Sequence, residues 1–298
     1  MLKVAIAGEK QILAETVKSL MSEKEIEITS IIPTTATQIS DPGFQKLGAS
    51  IIPQPKLYDK IDARLLDDSP DLLLTVTYFK KVPRELTDKL LCLNVHSGIL
   101  PFWRGLNSNL WAILNGATSA GYSIHQMSDI YDGGDIYHIL EAQVSDFSNF
   151  HQLSSHLLKE LAKIIPTLLQ DICRTKLLPI AQQGRQYTYT AKMLPKDGLI
   201  GDWNYEVDFY HRLFYIFGHD HGSGVFLIYK KEPLRIHALT RIEGLVGHPI
   251  CVPGSVVYTD SKRRIGIQVK NGILVIESLK INGQILAAAD VLRLGDRL

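Results

Sequence analysis

The sequence predicts an α/β protein in which a domain built on a mostly parallel sheet is followed by a smaller β-barrel domain. Three observations predict it. Short β-branched apolar runs alternate with amphipathic helical stretches through the first half, the texture of strands that helices cover on both faces. Beyond about residue 202 the chain turns to short strands spaced by Gly, Pro and Asp turns, which suits a small closed or half-closed barrel. The length, 298 residues, is that of about two domains.

In order along the chain, residues 4–7, 26–32, 72–76 and 92–95 read as buried strands, with helical patterns between them. Residues 121–127 and 135–144 read as sheet extensions or a hairpin about the turn Asp132-Gly133-Gly134. Phe150, Leu153, Leu157, Leu161, Ile164, Ile165 and Leu168 recur at helical spacing, so residues 149–175 read as one helix behind a Ser148 or Asn149 cap. Pro166 should kink it, because proline removes a donor and its ring crowds the preceding turn. These elements make a domain of residues 1–175. The mixed, polar residues 176–201 read as a linker. Residues 202–298 form the second domain: a helix at 206–217, then strands at 225–229, 234–239, 255–258, 265–269 and 273–276.

Charge and cysteine usage narrow the function. Lys plus Arg number 32 against 31 Asp plus Glu, a formal charge of +1, so no global basic field holds a polyanion and no nucleic-acid partner is expected. Cys92, Cys173 and Cys251 stand apart, with no CxxC and no metal-type pairing with histidine, which fits a reducing cytosol. No apolar stretch approaches the roughly 18 residues of a spanning helix, and residues 2–8 lack a basic leader or cleavage site, so a cytoplasmic protein without a membrane partner is expected.

The chemistry concentrates around Asn94-Val95-His96. Side chains one residue apart on a strand face the same side, and the carboxyl end of a parallel strand is where ligands dock in open α/β sheets. Asp132, on the glycine turn after the next apolar strand, adds a carboxylate, so a donor, a base and an orienting group are available. His125 lies within a strand pattern and reads as a structural hydrogen-bonding residue. His211, His219 and His221 lack ligand spacing and read as solvated loop histidines, so no metal is expected. Lys10, within Gly8-Glu9-Lys10-Gln11 at the opening of a helix, is a candidate contact for a substrate phosphate. Trp103 and Arg104 could grip a substrate by stacking and charge, and Arg104 could equally brace the loop.

Three blocks carry a family resemblance. They read Asn94-Val95-His96-Ser97-Gly98-Ile99-Leu100-Pro101 with Arg104-Gly105, then Gly121-Tyr122-Ser123-Ile124-His125-Gln126-Met127, then Asp132-Gly133-Gly134-Asp135. Together they resemble the formyltransferases that use N10-formyltetrahydrofolate. Departures are a Ser-Gly pair after the histidine and Ser123 where threonine is usual. The resemblance continues through residues 189–203, ending in Trp203, to Pro253-Gly254-Ser255-Val256-Val257 and Gly272-Ile273-Leu274-Val275-Ile276. It implies a Rossmann-like catalytic domain and a C-terminal OB-like barrel. It also implies N10-formyltetrahydrofolate as formyl donor, bound by Tyr78, Phe79, Lys80, Lys81 and Val82 on one loop and by Ser128, Asp129, Ile130 and Tyr131 on another. Asn94 would steady the oxyanion, His96 would shuttle the amine proton, and Asp132 would orient His96 or relay through a water.

The resemblance leaves the acceptor to be read from what the chain lacks. The tRNA-specific branch carries a basic insertion after the second strand, whereas residues 33–41 here hold no Lys or Arg. The expected acceptor is therefore a small-molecule sugar nucleotide, a UDP- or dTDP-linked amino-deoxy sugar destined for a surface glycan. Methionyl-tRNA is the alternative, and a non-catalytic folate-binding or peptide-synthetase-associated module is a third reading. An exposed barrel strand or the aromatic helix around Phe209 and Phe214 could make a homodimer.

Overall fold

The computed structural model describes residues 1–8, 10–33, 50–51, 69–78, 82–175, 177–220, 222–242 and 251–298. The chain divides into two compact units, one of Met1–Asn109, Ser119–Gln143 and Ser154–Lys192, the other of Leu110–Thr118, Val144–Leu153 and Met193–Leu298.

The first unit is mixed α/β with a parallel-rich sheet. Strands β1 (Leu2–Gly8), β2 (Ile26–Pro33), β3 (Ser50–Ile51), β4 (Leu72–Val76), β5 (Leu91–His96), β7 (Ser119–Gln126) and β8 (Ile136–Gln143) lie in the order β3-β2-β1-β4-β5-β7-β8. The pairings from β3 to β5 are parallel, and β7 and β8 add an antiparallel margin. The apolar runs read from sequence coincide with these strands, because residues buried on both faces leave little choice of conformation. Every residue of β4 is buried. Helix α1 (Lys10–Met21) returns the chain from β1 to β2, and the short helix α2 (Arg84–Thr87) precedes β5. A short β6 (Trp103–Gly105) lies apart from this sheet, ahead of α3 (Ser108–Leu114).

One core cluster anchors the loop after β4. Ala5, Ala7, Ile32, Leu73, Leu86 and Cys92 pack with Tyr78 and Val82, the two described ends of that loop. Both loop ends are thereby held in the core. Burial pushes the Cys92 thiol up to about 12, so it stays protonated.

The long helix α4 (Phe150–Gln170) starts where the sequence placed it. The Gln152 amide donates to Asn149 Oδ1 at 3.0 Å, and Gln152 Oε1 accepts from the Ser148 amide at 3.2 Å, a reciprocal cap. The helix runs on through Pro166 and relaxes into a π-helical turn only at Asp171–Thr175. Residues 182–190, expected as linker, bond to the first unit: β9 (Thr188–Thr190) pairs with β6 in parallel, and Gln182 is buried.

The second unit is an antiparallel-rich sheet. Strands β10 (Leu199–Ile200), β11 (Val225–Tyr229), β12 (Glu232–Thr240), β15 (Gly272–Ile281), β14 (Ile265–Val269) and β13 (Val256–Thr259) pair in that order, and β16 (Gln284–Ala287) pairs with β15. The last strand expected at 273–276 is longer and is followed by β16, because Asn282 (φ 49°) and Gly283 (φ 83°) both take the left-handed conformation that closes a tight hairpin. Helix α5 (Val207–Phe217) packs within this unit, with Tyr210 stacked on Trp203 at 5.8 Å.

Leu74 is fully buried on β4, so Leu74→Ala should cost about 2–5 kcal/mol through lost burial and the cavity left behind. Urea unfolding followed by tryptophan fluorescence measures the loss.

Candidate functional site

The strand β5 delivers Asn94 and His96 to one side of its carboxyl end. Each is held by a different partner. Asn94 sits in a row that crosses three strands, with Thr75 opposite it on β4 and His125 opposite it on β7. Thr75 Oγ1 donates to Asn94 Oδ1 at 2.7 Å, and Asn94 Nδ2 lies 3.1 Å from His125 Nε2. His125 Nδ1 is 2.9 Å from the Gln126 carbonyl, which can only accept. The proton of a neutral His125 therefore sits on Nδ1, and Nε2 accepts from the Asn94 amide.

The same reasoning fixes His96. Its Nε2 lies 2.6 Å from the Trp103 carbonyl and must carry the proton, so the Nδ1 lone pair faces Asp132 Oδ1 at 3.4 Å. Burial lowers the His96 pKa below its ordinary 6.5, against opposing pulls from Asp132 and from the Trp103 carbonyl. His96 is thus a neutral base at neutral pH.

Asp132 joins the two histidines. Burial alone would raise its carboxyl, but the protonated forms of His125 and His96, with the Gly105 amide, together hold it below the usual carboxylate range. Oδ1 faces His96 Nδ1 at 3.4 Å and His125 Nε2 at 3.6 Å, while Oδ2 accepts from the Gly105 amide at 2.9 Å. The turn that carries it is tight. Asp132 takes φ 51°, and a Cβ on Gly134 would lie 1.9 Å from the Gln126 carbonyl oxygen, so only glycine fits there. Gln182 locks the turn: its Nε2 donates to the carbonyls of Asp132 (3.0 Å) and Gly134 (2.6 Å), and its Oε1 accepts from Arg104 at 2.8 Å. Ser123 holds the loop after His96, donating to the Gly98 carbonyl at 2.7 Å and accepting from the Leu100 amide at 3.0 Å.

Asn94, His96 and Asp132 open onto a cavity of about 420 Å³ that Tyr78, Val82, Ser128, Asp129, Ile130 and Tyr131 also line. Tyr78 and Val82 of one expected loop and Ser128, Asp129, Ile130 and Tyr131 of the other therefore meet around one space. Phe79, Lys80 and Lys81 lie outside the described residues, as does the side chain of Lys10. Of the two readings of Arg104 the structure favours the brace: it is buried, with its guanidinium committed to Gln182 and 4.1 Å from the Tyr187 ring, and does not face a substrate. The substrate contact expected of Trp103 needs correction. Trp103 serves through its backbone carbonyl, and its side chain is not in the cavity lining.

Sequence reasoning missed Thr75 and Gln182, and read His125 as a structural hydrogen-bonding residue, whose bonds run to Asn94 and the Gln126 carbonyl. Their positions become meaningful only once strand register and the return of residues 177–192 are known. Of the three histidines read as solvated loop residues, His211 lies on α5 and burial lowers its pKa to about 4. His219 stacks on His151 at 5.8 Å, and His221 lies outside the described residues. Among the described residues no cluster of three His, Cys, Asp or Glu side chains could hold a metal, and no helix is long and apolar enough to cross a membrane.

Comparison with known proteins gives the family and the fold. The family model described as formyl transferase matches residues 4–169. The chain is 28% identical over 227 residues to a methionyl-tRNA formyltransferase of Buchnera aphidicola subsp. Acyrthosiphon pisum, a match covering 71% of each. An N-formyltransferase from Helicobacter canadensis, solved with folinic acid and dTDP-3-aminofucose, superposes with a TM-score of 0.68 at 14% identity, over 93% of this chain and 98% of that one. HypX from Aquifex aeolicus with tetrahydrofolic acid superposes at a TM-score of 0.58 and 20% identity, over 97% of this chain and 46% of HypX. This chain spans about half the length of HypX.

The buried histidine makes stability depend on pH. Below about pH 6.5 the unfolded chain takes up a proton at this residue that the folded protein refuses, so stability falls as pH drops through that range. In His96→Gln the thermal midpoint should fall less steeply than in the wild type between about pH 6.5 and about pH 5.5, read by differential scanning calorimetry.

Proposed function

The chain belongs to the formyl transferase family, and on that premise we propose that it transfers a formyl group from N10-formyltetrahydrofolate to the amine of a nucleotide-linked amino-deoxy sugar in the cytoplasm. The observation that carries the reading is the convergence of Asn94, His96 and Asp132 on the cavity between the two expected folate loops. A volume of about 420 Å³ lies in the range of small-molecule sites. Its lining joins Tyr78 and Val82 to the polar Asn94, His96 and Asp132, a mixture that suits a heterocycle with polar edges. The same reading takes the C-terminal sheet as the family's OB-like barrel.

The folate cosubstrate supplies an activated formyl carbon on N10. Asn94 Nδ2 donates to the formyl oxygen as negative charge gathers there. His96 Nδ1 accepts the proton of the attacking amine, since the Trp103 carbonyl already holds Nε2–H. Asp132 lies 3.4 Å away and stabilises the imidazolium. The bond from amine nitrogen to formyl carbon forms, the bond from that carbon to N10 breaks, and His96 returns the proton to the departing nitrogen.

Two features favour a sugar nucleotide over tRNA: residues 33–41 carry no basic side chain, and the net charge is +1. Residues 34–41 of that stretch lie outside the described residues. Methionyl-tRNA remains the competing acceptor, on the strength of the likeness to the Buchnera enzyme.

Incubation with N10-formyltetrahydrofolate, a panel of UDP- and dTDP-amino sugars and methionyl-initiator tRNA, followed by mass spectrometry, should show one sugar nucleotide heavier by one CO. Formyl on the tRNA alone overturns the acceptor assignment. His96→Asn should abolish turnover while folate affinity, measured by calorimetry, stays within about threefold, because the pterin loops are untouched. A Cβ at residue 98 would lie 2.7 Å from His96 Nε2 and 2.8 Å from the Trp103 carbonyl oxygen. Gly98→Ala should therefore lower kcat by about 10-fold or more with little change in the KM for folate.

A further inference from the structure

We infer that Thr75 is a positioning residue of the transfer, holding the Asn94 carboxamide so that its nitrogen stays aimed at the formyl oxygen. The inference rests on the oxyanion role of Asn94 in the proposed reaction.

Thr75 is fully buried on β4 and stands directly opposite Asn94 in the parallel register. Its hydroxyl carries a single proton. Asn94 Oδ1 at 2.7 Å is the better acceptor for it, the alternative being the Leu93 carbonyl at 3.4 Å. Across the strand, the Gln126 carbonyl fixes the proton of His125 on Nδ1, which leaves Nε2 to accept from Asn94 Nδ2. The row is therefore directional. His125 requires a nitrogen on its side of the amide, the amide oxygen must then lie on the side of β4, and Thr75 is the donor that meets it. One proton of Nδ2 is spent on His125 and the other is left for the formyl oxygen. A donor on Oδ1 also polarises the amide and strengthens its N–H as a donor.

Valine matches threonine in shape but offers no donor. In Thr75→Val the amide oxygen would face a methyl group in a buried corner. Asn94 would regain a partner only by rotating toward cavity water, which carries Nδ2 away from the reacting oxygen. Serine restores the donor.

The test compares wild type, Thr75→Val, Thr75→Ser and Asn94→Ala, using the acceptor identified by mass spectrometry. Thr75→Val should lower kcat about 10-fold or more, with the KM values for donor and acceptor within about twofold. Thr75→Ser should return kcat to within about threefold of wild type. The ¹⁵N–¹H resonances of the Asn94 side chain, assigned by their loss in Asn94→Ala, should shift in Thr75→Val and stay in place in Thr75→Ser. A Thr75→Val enzyme with wild-type kcat, a Thr75→Ser enzyme as slow as Thr75→Val, or an unmoved Asn94 amide in Thr75→Val overturns the inference. If Asn94→Ala keeps wild-type turnover, the oxyanion role itself fails and this inference falls with it. An inactive Asn94→Ala beside a normal Thr75→Val removes only the role of Thr75.

Discussion

A carboxylate taken out of water must be compensated, and the first unit is arranged around meeting that condition at Asp132. Its Oδ2 accepts from the Gly105 amide, and its Oδ1 lies beside His96 Nδ1 and His125 Nε2, where it pairs with an imidazole that takes up a proton. These partners come from β5, β7 and the loop through β6, so the charge ties together segments that are distant in sequence. The turn bearing Asp132 is fixed in turn by Gly134, where no side chain fits, and by Gln182, which bonds both its carbonyls and the buried Arg104. Loosening any of these would free a buried anion, which explains why so many short contacts converge on one turn.

The sheet contributes a second constraint. Because β5 has a parallel neighbour on one side and an antiparallel one on the other, Thr75, Asn94 and His125 stand in one row and face one side. Each member of the row has its hydrogen-bond direction decided by the next. The decision begins at the Gln126 carbonyl, and a separate one at the Trp103 carbonyl sets His96. Two backbone carbonyls thus determine which nitrogen of each imidazole is free, and with it where a proton can be taken.

In the proposed reaction Asn94, His96 and Asp132 are neutral as to acceptor. Nothing in Asn94, His96 or Asp132 distinguishes an amine on a sugar from an amine on an aminoacyl group, because both present the same nitrogen to the same carbon. Selectivity must lie in the walls of the cavity and in the segments around it, in keeping with folds that host several substrates on one chemistry.

Strands 4–7, 26–32, 72–76 and 92–95 were legible in the sequence because burial on both faces writes a continuous apolar run. Asn94 and His96 were legible because period two puts them on one side, and Asp132 because its turn carries glycines. The hairpin at Asn282-Gly283 carried an equally local signal, and β16 beyond it was still missed. Thr75 and Gln182 carried no such signal, and His125 stood out only as part of the family block. Threonine in a strand, histidine in a strand and glutamine in a polar stretch are ordinary residues until pairing places them. Trp103 and Arg104 invited a side-chain role, yet the structure uses a carbonyl of one and buries the guanidinium of the other. The sequence by itself determined which strands form and where Asn94, His96 and Asp132 lie relative to them, since those depend on neighbours a few residues apart. Only the tertiary structure decided what completes their orientation, because the partners of Asn94 and of the turn that carries Asp132, Thr75 and Gln182 among them, come from segments 19 to 78 residues away from the groups they bond, which no local pattern encodes.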